Sequence, residues 1–352
     1  MDIILKISQE LMCRQEQVAA AVKLIDEGCT IPFIARYRKE ATGSLNDEQL
    51  RTLDERLTYL RGLEDRKEKV IASIEEQGML TDELKKSILA AETLVAVEDL
   101  YRPYKPKRKT RATIAQSKGL TGLANIISLQ MTNKPILEEA LAYVSEEKEV
   151  HSAEEAIAGA MDIIAESISD NAEYRTEIRS LTMDKGILMT TAKDPEAESV
   201  YEMYYDFSTP VRKMTGYRTL AINRGEKEKF LSVKIEAPVD EITGYLIRQV
   251  IVRDNPNTND ILRNTITDSY DRLIAPSIER DIRSSLTEAA EDGAIKVFGS
   301  NLKQLLMQPP INGHVVLGWD PAFRTGCKLA VVDATGKVLA TKVIYPTAPQ
   351  NK

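Results

Sequence analysis

Residues 46–78 read NDEQLRTLDERLTYLRGLEDRKEKVIASIEEQG. Asn46 follows the turn-forming Gly43-Ser44-Leu45, Asp47 and Glu48 stand where a helix N-terminus favours negative charge, and Gly78 supplies a stop. Between these ends apolar residues recur three and four apart, as at Val70, Ile71 and Ile74. That spacing puts side chains on one face of a helix. The same period governs the chain from its start to about Leu100, with Val18, Ala21, Val22 and Ile25 forming another stripe. Gly28 closes that helix, Thr30-Ile31-Pro32 turns the chain, and a further helix opens near Thr81-Asp82-Glu83. The predicted fold is mainly α.

Beyond Leu100 the pattern breaks and then resumes. Pro103 and Pro106 remove backbone donors and predict an extended loop from Tyr101 to Arg111. Helices are predicted over Ile114 to Lys118, from a Ser152 and Glu155 capping box to about Ser169, and over Glu173 to Met183. Gly186 to Thr191 reads as a short strand, Tyr217 to Arg224 as a helix, and the alternation in Phe230 to Ile235 as another strand. Ser277 to Met307 sustains helical periodicity, with Pro276 expected at its start, where a missing N–H costs little. Such a helix would span roughly 45 Å at 1.5 Å per residue, and Gly293 and Gly299 are its expected bend points. After Gln308-Pro309-Pro310 come three strands, Val315 to Trp319, Lys328 to Asp333 and, past the turn Ala334-Thr335-Gly336, Lys337 to Tyr345. Three strands with no second layer to cover them do not make a stable unit, so a domain cut short is expected.

The chain has 352 residues, 43% hydrophobic and 29% charged, with a net charge of −7. That length predicts more than one domain, and that composition predicts a folded chain. The start, Met1-Asp2-Ile3-Ile4-Leu5-Lys6, is no secretory signal, and no stretch nears the roughly 20 apolar residues of a membrane span. A cytoplasmic protein without membrane contact is expected. Cys13, Cys29 and Cys327 lack metal or redox spacing and read as reduced packing residues, while His151 and His314 are too few for a zinc site or a triad. No cofactor or metal is indicated, and no signature of an oligomeric state. A net acidic chain can hold nucleic acid only through a local patch.

Four strings of sequence are unusual enough to identify a family. They are Ile31-Pro32-Phe33-Ile34-Ala35-Arg36-Tyr37-Arg38-Lys39-Glu40-Ala41-Thr42-Gly43, the run from Glu98-Asp99-Leu100-Tyr101 to Thr110-Arg111-Ala112, Ile222-Asn223-Arg224-Gly225-Glu226, and Gly318-Trp319-Asp320-Pro321-Ala322-Phe323-Arg324-Thr325-Gly326-Cys327-Lys328. In this order they resemble the Tex family of transcription accessory proteins, and the resemblance covers essentially the whole chain. It implies a helical N-terminal region with helix-turn-helix-like elements, ending in the first strands of an α/β YqgF-type RNase H-like domain. The expected division is residues 1–200, a helical N-terminal region; 201–312, a second helical segment with a short strand and a long connecting helix; and 313–352, the truncated RNase H-like start. It also implies association with RNA or DNA and with the transcription machinery. The family's S1 domain, its main RNA-binding module, lies beyond the part this chain resembles.

Candidate site residues follow from charge and ring chemistry. Arg102, Lys105, Lys107, Arg108, Lys109 and Arg111 crowd one loop without an acidic residue, fit to replace counterions along a phosphate backbone, while Tyr101 and Tyr104 are candidates to stack on unpaired bases. The rival reading pairs these cations with acidic helices and packs the tyrosines inward. Arg36, Arg38 and Lys39 suit a helix-turn-helix reader, but their closeness to Glu40, Asp47 and Glu48 makes a buried salt-bridge network the stronger expectation. Tyr201, Tyr204, Tyr205 and Phe207 are expected in the core. Asp320 matches the first acidic position of the RNase H-like pattern, where hydrolysis needs several carboxylates on two metal ions. One aspartate is too few, and a structural Asp320 capping the following turn is expected; Ala322 stands where many relatives have glycine. The resulting expectation is a non-enzymatic, nucleic-acid-binding scaffold. Its rivals are a metal-dependent nuclease or resolvase in a longer protein, and a purely protein-docking scaffold.

Overall fold

The structure, a computed structural model, describes residues 2–106, 109–309, 311–322, 325–346 and 348. It divides into two compact units, Met1–Thr287 and Glu288–Lys352. The first unit holds two hydrophobic cores. One is built by α1 (Ile3–Glu10), α2 (Gln15–Asp26), α3 (Ile31–Tyr37), α4 (Asp47–Glu76), α5 (Asp82–Ala90) and α6 (Leu94–Tyr101). Helix α4 is the quoted stretch: Leu50, Leu53, Leu57, Leu60, Leu63, Val70 and Ile74 are all buried, and the others pack along that stripe. Asn46 accepts from the Gln49 N–H at 2.8 Å and Gln49 Oε1 accepts from the Asn46 N–H at 3.0 Å, a closed capping box. Gly28 and Gly43, at φ +83° and +58°, take left-handed turns that a side chain would strain.

The second core gathers around α10 (Ala153–Asp170), against which α7 (Arg111–Ser117), α8 (Thr121–Leu129) and α9 (Ile136–Leu141) pack. Ser152 caps α10 by accepting from the Glu155 N–H at 3.1 Å. Next comes α11 (Ala172–Lys185), then a sheet in which β1 (Ile187–Ala192) runs antiparallel between β2 (Asp206–Pro210) and β3 (Leu231–Glu236), with α12 (Gly216–Lys227) between β2 and β3 in sequence. Thr190 sits opposite both Phe207 and Val233. Strand β2 was not expected, because Asp206 to Pro210 is short and ends in proline. Tyr201 and Tyr204 are buried in this core, as predicted.

Helices α13 (Val239–Val250) and α14 (Asn259–Asp268) follow, and α14 passes into a π-helical turn, Ser269–Ile274, and then α15 (Ala275–Leu306). Pro276 is therefore inside a continuous helical run and not at a helix start. Its ring would meet the carbonyl of Arg272 in an α-helix; the wider turn before it, closed by the Ala275 N–H to the Tyr270 carbonyl, lets the rod continue. Gly293 and Gly299 lie within α15 without interrupting it.

In the second unit β4 (Val316–Asp320), β5 (Cys327–Val332) and β6 (Val338–Ile344) form an antiparallel sheet in chain order, matching the predicted strands. Both of its faces are largely exposed. No helix among the described residues is long and apolar enough to cross a membrane.

Candidate nucleic-acid interface

The basic loop begins where α6 ends. Tyr101 is only 8% exposed, its hydroxyl lies 3.0 Å from Ser73 Oγ, and the Arg66 guanidinium sits 5.4 Å above its ring. It has no face left for a base, which corrects the stacking expectation for this residue. Arg102–Tyr104 form a 3-10 turn in place of the expected extended chain, because a proline's fixed φ is compatible with a first helical turn. Tyr104 is half-buried and its carbonyl accepts from Gln77 Nε2 at 3.0 Å.

Two of the loop cations form ion pairs, Arg102 partly buried and Lys105 at the surface. Arg102 Nε lies 3.4 Å from Asp170 Oδ1, and Lys105 Nζ lies 3.7 Å from Glu98 Oε2. Burial, then the like charge of Arg175, pushes the Arg102 pKa down, and Asp170, Asp99 and Asp281 oppose that fall. Lys107 and Arg108 lie outside the described residues. Lys109 and Arg111 are exposed and form no ion pair among the described residues. Thr110 holds the start of α7: its Oγ1 accepts from the Thr113 N–H at 3.0 Å and donates to Glu166 Oε2 at 3.0 Å.

Behind the loop is an open groove of about 350 Å³, with Arg102, Lys105, Arg111 and Arg272 facing Asp162, Glu166 and Asp170. Arg272, presented by the π turn, reaches Asp162 at 2.9 Å. Its hydrogen bond holds the Asp268 carboxyl below the usual range against the cost of burial, and the Arg111 charge adds to that pull. Arg111 lines this groove and its charge acts on Asp162 and Asp268, while Lys109, two residues before it, is exposed.

Helix α3 departs further from expectation. Arg36, Arg38 and Lys39 are exposed and none pairs with a carboxylate among the described residues. The expected buried salt-bridge network is not formed. Asp47 is instead taken by Arg51 on its own helix at 2.7 Å, an i,i+4 partner closer than any cation on α3. The tight turn through Gly43 and Ser44, both at positive φ, is tied to α2 by Gln17 Nε2 donating to the Gly43 carbonyl at 2.8 Å. Phe33 and Tyr37 share a face with centroids 5.3 Å apart, and Arg38 lies 5.2 Å above the Phe33 ring. These rings were missed as site residues, although an i,i+4 aromatic pair amid three cations is visible in the sequence.

The buried charge network was equally unforeseen. Arg175 and Arg179 of α11 both donate to Asp99 of α6 at 2.8 Å, and Arg175 also reaches Ser277 at 2.9 Å and Asp281 at 3.3 Å on α15. Asp320 closes β4 opposite Lys328 and is exposed. The turn that Asp320 was expected to cap includes Phe323 and Arg324, which lie outside the described residues. No three His, Cys, Asp or Glu among the described residues converge as a metal-binding group. A lone carboxylate does not fit the two-metal chemistry of an RNase H-like site, and no hydrolytic step follows from it.

Three family models match in order: the Tex-like protein N-terminal domain over residues 1–75, the Tex central region over 131–298, and the Tex protein YqgF-like domain over 314–352. The chain belongs to the Tex family. This Tex-family chain is 51% identical to YdcI of Bacillus subtilis over 99% of its own length and 49% of that protein. It is 41% identical to the transcriptional accessory protein Tex of Neisseria gonorrhoeae, covering 98% of the chain and 46% of that protein. With the human S1 RNA-binding domain-containing protein 1 it shares 31% identity over 93% of the chain and 34% of that protein. The chain thus spans about half the length of its bacterial relatives.

Proposed function

We propose that this Tex-family chain is a non-catalytic, nucleic-acid-binding helical scaffold of a transcription accessory factor, working in the cytoplasm beside the transcription machinery. The observation that carries the reading is the set of exposed cations that form no ion pair at contact distance among the described residues, Lys109 and Arg111 around the start of α7, Arg36 in the last turn of α3 and Arg38 just past its end. On a chain of net charge −7, cations left open in two places are available to displace counterions from a phosphate backbone. Arg102 and Lys105, held in ion pairs, shape the loop and leave the contact to their neighbours. The names of the gonococcal and human relatives, a transcriptional accessory protein and an S1 RNA-binding domain-containing protein, agree with this reading.

The test is binding of a labelled oligonucleotide across a salt series. Reversing charge at Lys109 and Arg111 together is expected to weaken binding and to flatten the slope of log K against log salt by roughly 1.5, since each lost phosphate contact removes about 0.7–0.9. Affinity and slope unchanged in the double variant would leave only a protein-docking role for this region.

A further inference from the structure

Strand β3 is an edge of its sheet, whose order is β2, β1, β3. Backbone groups along an antiparallel strand point alternately to its two sides. On the β1 side the Phe230 carbonyl accepts from the Lys193 N–H at 2.9 Å, and on the outer side the Ile235 N–H donates to Glu279 Oε1 of α15 at 3.0 Å. Val233 shares the parity of Ile235, so its N–H and carbonyl face outward, and neither makes a hydrogen bond among the described residues. A free donor and acceptor on a sheet edge are a template for another strand. At Ile235 the Glu279 carboxylate already stands where that strand's carbonyl would be.

The edge opens onto a groove of about 460 Å³ formed by β3, α11 and the π turn that leads into α15. Ile178 and Ile278 give it apolar walls, and its charged residues are Lys234, Glu236, Asp271 and Glu279. None of these four forms an ion pair at contact distance among the described residues. Three carboxylates against one ammonium leave the groove acidic.

We infer that β3 is a docking edge for an extended, lysine- or arginine-bearing segment of a partner protein, which joins the sheet as a further strand. Main-chain hydrogen bonds hold such a segment and its alternate side chains give specificity. Here one set of side chains meets Ile178 and Ile278, and the other meets the carboxylates. The incoming carbonyl nearest Ile235 replaces Glu279 on that N–H and frees its carboxylate for a cation of the peptide. A nucleic acid would bring phosphates against three carboxylates, so the charge selects a basic peptide. The surface shares no residue with the groove behind the basic loop and does not depend on the nucleic-acid reading.

The test titrates the whole 352-residue chain with a labelled peptide of about seven alternating lysine and valine residues, and with the same peptide carrying glutamate for lysine. The lysine peptide is expected to bind and to slow hydrogen exchange at the Val233 amide, and the glutamate peptide to do neither. Val233→Pro removes the outward N–H without touching the β1 ladder, and is expected to weaken binding about tenfold. Glu236→Lys combined with Asp271→Lys is expected to weaken it by about the same factor at low salt. Should Val233→Pro shift the unfolding midpoint, the charge reversal at two exposed positions and the Val233 exchange in the unaltered chain decide the matter. Absence of binding by the lysine peptide at millimolar concentration overturns the inference, as does binding that leaves Val233 exchange unchanged or survives the charge reversal. Dimerisation of the chain alone that is lost in Val233→Pro overturns it in favour of a second copy on this edge.

Discussion

Asp99 and Arg175 stand 76 residues apart in sequence and meet at 2.8 Å, joining α6 in the first core to α11 in the second. Arg175 is 1% exposed, so its charge is compensated by neighbours in place of water. Asp99, Asp281 and Ser277 supply acceptors, yet Arg175 Nη1 and Arg179 Nε find none among the described residues. A buried cluster of this kind stabilises less than its contacts suggest, while removal of one member exposes the desolvation cost of the rest. Arg175→Met is expected to lower unfolding free energy by about 3 kcal/mol, measured as a shift in urea midpoint at unchanged m-value. A shift below about 0.5 kcal/mol would show that Arg179 alone neutralises Asp99.

At the scale of elements, α1 is fastened to α4 by Arg56, whose Nε and Nη2 donate to the two oxygens of Glu10 at 2.6 and 2.8 Å. That hydrogen bonding holds the Glu10 carboxyl below its usual range against desolvation, with the Arg56 and Lys6 charges adding to it. A carboxylate with a lowered folded pKa contributes stability above its unfolded value of about 4.3 and loses it as pH falls through the folded value. Glu10→Gln is therefore expected to be less stable than the parent chain at pH 7 and equal to it near pH 3, read from urea midpoints at both. An unchanged gap at pH 3 would place the effect in packing and not in charge. The π turn before Pro276 is a second case of one element setting another: it places Tyr270 and Ile274 in the core and Arg272 beside Asp162, and the register of Ile278 and Ile282 against the core follows from it.

For the whole molecule, the two units differ in how much apolar surface they leave uncovered. The second contains Trp319, the single tryptophan of the chain, at 57% exposure, with Leu317, Val338 and Leu339 also exposed on its sheet. Tryptophan emission is expected at the wavelength of a solvated indole and to be quenched readily by acrylamide in the native chain. Blue-shifted emission with weak quenching would show that this face is covered in solution, by a second copy or another segment. Both core clusters draw on buried residues no later than Ile282, so the fluorescence reports on the second unit and circular dichroism chiefly on the first.

Periodicity alone made the helices legible: the stripe from Leu50 to Ile74 and the caps at Asn46, Thr81 and Ser152 depend on residues within a turn of one another. The four family strings were legible for a similar reason, being contiguous. Contacts across the fold were not. Whether Arg102 faces Asp170, whether Asp47 takes Arg51 in preference to a cation on α3, and whether Tyr101 packs against Ser73 are settled by which helices lie side by side, and no local pattern encodes that. The same holds for the candidate interface. Sequence located the clusters of positive charge, and tertiary packing decided which cations are consumed by buried or half-buried partners and which remain in water, because an ion pair is a property of two surfaces brought together and not of either one alone.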